Sequence, residues 1–390
     1  MILKLTRWLP IAWALLPLAA SGAPPTAIKL ISPIDTLLEM SVEINGVKGR
    51  LMVDSGAMAT VLDKSSAKDL KVSLESALGT IDGMGGSSNQ ELGEITVRVP
   101  GHQPKDFPNL SGKHIFVPMH KEITASPLGR RLGFIGLSEL IAAGAIIDCA
   151  GSRLILCPEG DFQSPKKGLE LTMLRYAASS QVAGGLFFWA LPVKIANKEG
   201  VMIVDTGCDL TVVNQNFAKL VGIEPVGEGF SFNGAGGGGA SSKSMFFCAL
   251  PDVLLNGKLQ LGKIQGVCDA SNFPVYSLKD VAGGDLPIIG ILGLDQLVRI
   301  KAFVDCKRGV IHTTDEPLKP ERPNSWTVDG PKAIFSLANA GDKEAIKLIE
   351  LTKENGTPLT LKQANKFIER AVQKGLLEED QPPVSQPIAH

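Results

Sequence analysis

Residues 51–62 read Leu-Met-Val-Asp-Ser-Gly-Ala-Met-Ala-Thr-Val-Leu, and residues 202–213 read Met-Ile-Val-Asp-Thr-Gly-Cys-Asp-Leu-Thr-Val-Val. The two stretches stand 151 residues apart, and the same spacing carries Val42 and Ile44 onto Val193 and Ile195, Gly49 onto Gly200, and Ala67-Lys68 onto Ala218-Lys219. It also carries Gly83, Gly85 and Gly86 onto Gly234, Gly236 and Gly237. Further along the spacing becomes 157, and Gly133-Phe134-Ile135-Gly136-Leu137 meets Gly290-Ile291-Leu292-Gly293-Leu294, while Asp148-Cys149 meets Asp305-Cys306. One spacing shared by many short matches is the mark of an internal repeat, so the chain is expected to build two equivalent lobes.

Each copy has the same syntax. An alternating run, Ser41 to Ile44, meets an Asn45-Gly46 turn and the apolar Leu51 to Val53, which together read as a β-hairpin. In the second copy Ala196 to Gly200 takes the place of that turn and reads as a longer loop. After Asp-Ser/Thr-Gly come another strand, a Gly-rich tip, more strand, a short helix (Ser138 to Ala143; Asp295 to Val298) and a closing hairpin. The expectation is an all-β, two-lobed fold with pseudo-two-fold symmetry and a small helical tail. Its lobes span residues 36–157 and 187–315, with a connector at 158–186 and the tail at 323–380. In the tail, Lys332 to Lys353 and Thr360 to Leu377 have helical spacing on either side of Asn355-Gly356, and they read as a stabilising appendage.

Composition narrows the function. The 390 residues are 44% hydrophobic, enough for a substantial core, and 42 Gly with 5% aromatics favour tight turns and strands over a helical bundle. The 39 Lys and Arg balance 40 Asp and Glu, so no polybasic surface points to nucleic acid or anionic lipid. Five scattered His without HExxH or Cys-x-x-Cys give no reason to expect a metal, and no cofactor is implied. Gly234 to Gly239 fits G-x-G-x-x-G, but the following Ser241 to Phe247 reads as strand where a nucleotide fingerprint opens a helix.

The start reads as an export signal over residues 1–23. Lys4 and Arg7 precede the apolar Trp8 to Ala20, and Ala20 to Ala23 are small. The apolar run is shorter than the ~20 residues of a spanning helix. A periplasmic or secreted monomer without stable membrane insertion is therefore expected. Export permits disulfides among Cys149, Cys157, Cys208, Cys248, Cys268 and Cys306, with Cys149–Cys157 and Cys248–Cys268 as local pairings.

Two carboxylates brought together about a pseudo-two-fold axis cannot both ionise cheaply, so they share a proton and supply an acid and a base at once. At these residues the sequence resembles the pepsin/retropepsin-like superfamily of aspartic proteases, in a form with two retropepsin-like lobes in tandem. The resemblance implies Asp54 and Asp205 as the catalytic pair, supported by Ser55, Gly56, Thr206 and Gly207. It makes Gly83, Met84, Gly85 and Gly86, with Gly234, Ala235 and Gly236, the tips of two flaps, the single flap of pepsin being the other possibility. It places Ile135-Gly136 and Leu292-Gly293 in the apolar-apolar-Gly signature packed behind the site. The implied activity is that of an endopeptidase acting on a peptide or protein substrate. The alternative is an inactive peptide- or protein-binding module on the same scaffold. Cys208, beside the second triplet, reads as a small buried side chain or a structural half-cystine, with a redox-sensitive thiol as the alternative.

Overall fold

The computed structural model describes residues 26–31, 37–83, 86–119, 124–126, 129–158, 162, 168–178, 187–232, 243–269, 281–282, 286–314, 333–334, 336–348 and 361–376. Residues 1–23, expected as an export signal, and Met84, Gly85, Gly234, Ala235 and Gly236 lie outside these residues.

The architecture is mainly β. Each half of the chain folds around a nine-stranded sheet, and a third, six-stranded sheet joins the halves. That shared sheet runs in the order Thr26–Lys29, Arg153–Leu156, Ala145–Asp148, Phe303–Asp305, Val310–Thr313, Leu169–Thr172. Its central seam is antiparallel, with Ile146 opposite Asp305 and Ile147 opposite Val304, so each half lends three strands in mirrored order. Residues 169–172, within the stretch expected as a connector, belong to this sheet, and Leu174–Ala178 pairs with Phe187–Ile195 of the second lobe. One continuous apolar core includes residues of both lobes, among them Leu51, Ile135, Leu156, Val204, Leu292 and Val304.

The repeat is reproduced residue by residue in the strands around Asp54 and Asp205. In the first lobe Gly129–Ile135 lies parallel to Val47–Val53 on one side and antiparallel to Val61–Asp63 on the other. In the second, Ile288–Leu292 lies in the same way between Lys198–Val204 and Val212–Asn214. The threaded strand needs glycine where it crosses its neighbour: a Cβ on Gly133 would stand 2.2 Å from the Val61 carbonyl oxygen, and one on Gly290 2.0 Å from that of Val212.

One expectation about turns is corrected. Asn45 and Gly46 form a two-residue turn with φ of 49° and 83°, and Ala196 and Asn197 form the same turn with φ of 46° and 66°, Ile195 pairing directly with Lys198. No longer loop replaces it. The hairpin's right-handed twist demands two left-handed residues, and Asn197 accepts that conformation while Ala196 is held in it by the register.

The six cysteines, all described, are thiols and form no disulfide, so the expected bridging is also corrected. Cys248 stands opposite Gly266 and Cys268 opposite Phe246, which offsets the two along their strands. Five of the six are buried.

The tail has its own apolar cluster of Ala333, Ile334, Leu337, Ala345, Phe367 and Ala371, separate from the core of the lobes. The first expected helix is interrupted. Gly341 takes φ of 80°, Asp342 donates its N–H to Leu337, and the Asp342 carboxylate accepts the N–H groups of Glu344 and Ala345 to start the next turn. The helix Leu361–Gln373 closes the unit, with Arg370 paired to Asp342 and Glu344. Among the described residues, no helix is long and apolar enough to cross a membrane.

Candidate active site

Asp54 and Asp205 each follow the last residue of a buried strand, at the point where the chain turns out of the sheet. The backbone N–H of Asp54 donates to Ile135 and that of Asp205 to Leu292, both at 3.1 Å, so each aspartate is fixed by the apolar-apolar-Gly strand of its own lobe. Gly56 and Ala57 donate their N–H groups to Asp54 Oδ1 at 2.9 Å, and Gly207 donates to Asp205 Oδ1 at 2.7 Å.

The residues after the aspartates tie the lobes together. Ser55 donates its N–H to Thr206 Oγ1 at 3.1 Å and its hydroxyl to the Val204 carbonyl at 2.8 Å. Thr206 returns the pattern, its N–H donating to Ser55 Oγ at 3.1 Å and its hydroxyl to the Val53 carbonyl at 2.8 Å. All four bonds are buried and cross the pseudo-two-fold axis. The third residue of each triplet closes the gap. A Cβ on Gly56 would stand 2.3 Å from Asp205 Cγ, and one on Gly207 2.4 Å from Asp54 Cγ. Only glycine permits this approach, and the two carboxyl groups hydrogen-bond to each other.

Burial, the charge of Asp205 and the hydrogen bond between the two hold the Asp54 carboxyl well above the ordinary carboxylate range, against the pull of the Gly56 and Ala57 N–H groups. Burial also raises Asp205, but its bond to Asp54 and the N–H groups of Gly207, Cys208 and Gly56 oppose the shift. The pair therefore retains one proton where isolated carboxyls would have lost both.

Residues 40–117 match the sequence model of a family described as aspartyl protease, and within that span lie Asp54, Ser55 and Gly56. The matched span is 78 of the 390 residues and lies in the first lobe, where the chain is similar to the aspartyl proteases. Among solved structures it is similar to an aspartic proteinase from Irpex lacteus, with 12% identity over 78% of this chain and 98% of the other, at a TM-score of 0.41. A retropepsin-like aspartic protease from Rickettsia conorii matches at 16% identity over 39% of this chain and 96% of that one, with a TM-score of 0.24. The protease of EIAV matches at 16% identity over 28% and 89%, with a TM-score of 0.22. No curated protein matches the chain.

Each lobe braces the glycine of its apolar-apolar-Gly strand with a threonine to which the repeat alone assigned no role. Thr60 Oγ1 accepts the Gly136 N–H at 3.0 Å and donates to Glu139 Oε2 at 2.6 Å. Thr211 Oγ1 accepts the Gly293 N–H at 3.1 Å and donates to Asp295 Oδ1 at 2.7 Å. The two threonines obey the repeat spacing of 151, which was the available signal, whereas their acidic partners shift by one place on the following helices, Leu137–Ala142 and Leu294–Arg299. Burial pushes the Asp295 carboxyl up to about 6.

Two further features carried no sequence signal. Glu39, fully buried, accepts hydrogen bonds from Arg50 and Arg131 in the first lobe. Asp209 stands four residues after Asp205, and burial pushes its carboxyl up to about 7 against the attraction of Arg131. Cys208 is buried, as expected, and donates its thiol to the Leu210 carbonyl.

Of the two expected flaps, the described residues are strands on either side of the expected tips. Glu75–Gly83 and Gly86–Ile95 form a hairpin in the first lobe, with Gly83 opposite Gly86, and Pro225–Phe232 pairs with Lys243–Leu255 in the second. Among the described residues no group of three or more His, Cys, Asp or Glu side chains could hold a metal ion.

Proposed function

We propose that the chain is an exported aspartic endopeptidase in which Asp54 and Asp205 act on one water molecule. The ionised member of the pair takes a proton from the water as its oxygen attacks the scissile carbonyl carbon. The protonated member gives its proton to the carbonyl oxygen. Collapse of the tetrahedral intermediate passes a proton to the departing amide nitrogen and restores the shared-proton state, without a covalent intermediate. The substrate is an extended peptide lying between the two hairpin stems.

The observation that carries this reading is the reciprocal seating of Gly56 against Asp205 and Gly207 against Asp54, which leaves the two carboxyl groups in mutual hydrogen-bonding contact. Export rests on the basic, apolar and small-residue sequence of residues 1–23, and the chain is taken to work as a monomer because it supplies both halves of the pair. Asp54→Asn and Asp205→Asn are each expected to abolish cleavage of a denatured-protein mixture at acid pH. Activity that survives either substitution contradicts a single intramolecular dyad. Fractionation with sequencing of the mature N-terminus tests export, and a chain retained in the cytoplasm with Met1 intact rejects it.

A further inference from the structure

The two lobes differ chemically at one place beside the aspartates. Met58 and Asp209 each stand four residues after their aspartate, at equivalent places in the repeat. Met58 packs against an apolar cluster of the second lobe that contains Ala190, Val201 and Ile288. By the repeat spacings, the counterparts of those three in the first lobe are Glu39, Arg50 and Arg131. Strand register agrees: Val201 pairs with Ile288 as Arg50 pairs with Arg131, and Ala190 faces Ile203 as Glu39 faces Met52.

So where the first lobe sends a methionine to an apolar patch, the second sends an acid toward a buried ion cluster. Two arginines on one glutamate leave that cluster with a surplus positive charge, and Arg131 is the group that favours the ionised form of Asp209. The other charges facing Asp209 are Asp205 from its own loop and Asp295 from the helix Leu294–Arg299, and both oppose its ionisation. The Asp209 carbonyl accepts the Asp295 N–H at 3.1 Å, which fixes the loop. Asp209 Oδ1 is buried and has no hydrogen-bond partner among the described residues. A buried carboxylate oxygen left in that state is costly and calls for an explanation.

We propose that Asp209 is a positioning residue of an electrostatic kind, within the electrostatic reach of both Arg131 of one lobe and Asp205 of the other, so that its charge makes the dyad's shared proton harder to lose. A negative charge beside Asp205 makes loss of the remaining dyad proton harder. Burial and its acidic neighbours push the Asp209 carboxyl up to about 7, and burial raises both members of the dyad, so the titrations of the three act on one another. Arg131 makes this charging attainable inside the protein. This inference rests on the dyad reading, but it can be tested without turnover.

The test uses the full chain with carboxyl-¹³C aspartate, titrated by NMR without substrate, together with the pH profile of kcat/KM. In Asp209→Asn the upper dyad titration is expected to move down by about one pH unit, a Coulomb effect through a partly screened interior. The alkaline limb of kcat/KM should move with it, leaving about a fifth of the wild-type value at the wild-type midpoint. Asp209→Met, which installs the first lobe's residue, should move both in the same direction, and Arg131→Gln should move the Asp209 titration upward. An upper dyad titration in Asp209→Asn that coincides with the wild type overturns the proposal, as does a shift in Asp209→Met of the opposite sign. A chain that shows the carboxyl shifts but cleaves nothing retains this inference and counts against the peptidase reading instead.

Discussion

Replacing Thr206 by valine isolates the clamp between the lobes. The side chain is fully buried, and valine matches its shape while removing the hydroxyl. Thr206 Oγ1 serves two partners across the axis, accepting the Ser55 N–H and donating to the Val53 carbonyl. Leaving a buried N–H unpaired costs about 1–3 kcal/mol and the carbonyl somewhat less, so the loss is roughly 2–4 kcal/mol in all. Thr206→Ser retains both bonds and deletes one buried methyl, at about 1 kcal/mol. Urea unfolding followed by tryptophan fluorescence reads the difference, and the serine variant serves as the reference for the methyl group. The same clamp sets the spacing of the carboxyls, so the valine variant should also lose more than tenfold in kcat with KM changed less. A valine variant within about 0.5 kcal/mol of the serine variant would refute the claim that these bonds hold the lobes in register.

Gly56→Ala and Gly207→Ala should each cost at least about tenfold in kcat, since the added methyl meets the opposite carboxyl at 2.3 and 2.4 Å; near-normal kinetics in either variant would show that the lobes can part without consequence. Stability should fall as pH rises from about 4 toward 7. Asp209 and Asp295, with carboxyls raised to about 7 and about 6, bind protons in the folded state that the unfolded chain releases near its ordinary 3.8. Thermal midpoints across that range should slope less steeply in Asp209→Asn, and an unchanged slope would contradict the assignment. A chain ending at residue 320 should keep the midpoint of the lobes within about 2 °C and retain peptidase activity, because the tail cluster is separate from their core. A large loss of either would mean that the tail supports the lobes directly.

Much of the site was legible because a repeat converts sequence into geometry. The glycines at 49, 133 and 136 recur at 200, 290 and 293, and each stands where a side chain would collide with a neighbouring segment of the chain. The turn at Ala196-Asn197 was misread because composition argued for a loop while the register demanded a two-residue turn. The break at Gly341-Asp342 was missed because apolar spacing continues through it, although a glycine followed by a capping aspartate is a stop and a start. Glu39, Arg50, Arg131 and Asp209 were invisible for a different reason. Their meaning lies in the departure of one copy from the other, and a charge at a strand position reads as solvated until the fold buries it. The cysteines looked like bridge partners by count alone, and pairing depends on offsets between strands that no count contains.

The account turns on whether two distant copies of one motif deliver a single proton-sharing pair. An atomic-resolution neutron or X-ray structure of the full chain near pH 5 measures this directly. The expected result is a carboxyl oxygen of Asp54 within about 3 Å of one of Asp205, with one proton between them. Carboxyls standing more than about 5 Å apart, each ionised and solvated on its own, would contradict it.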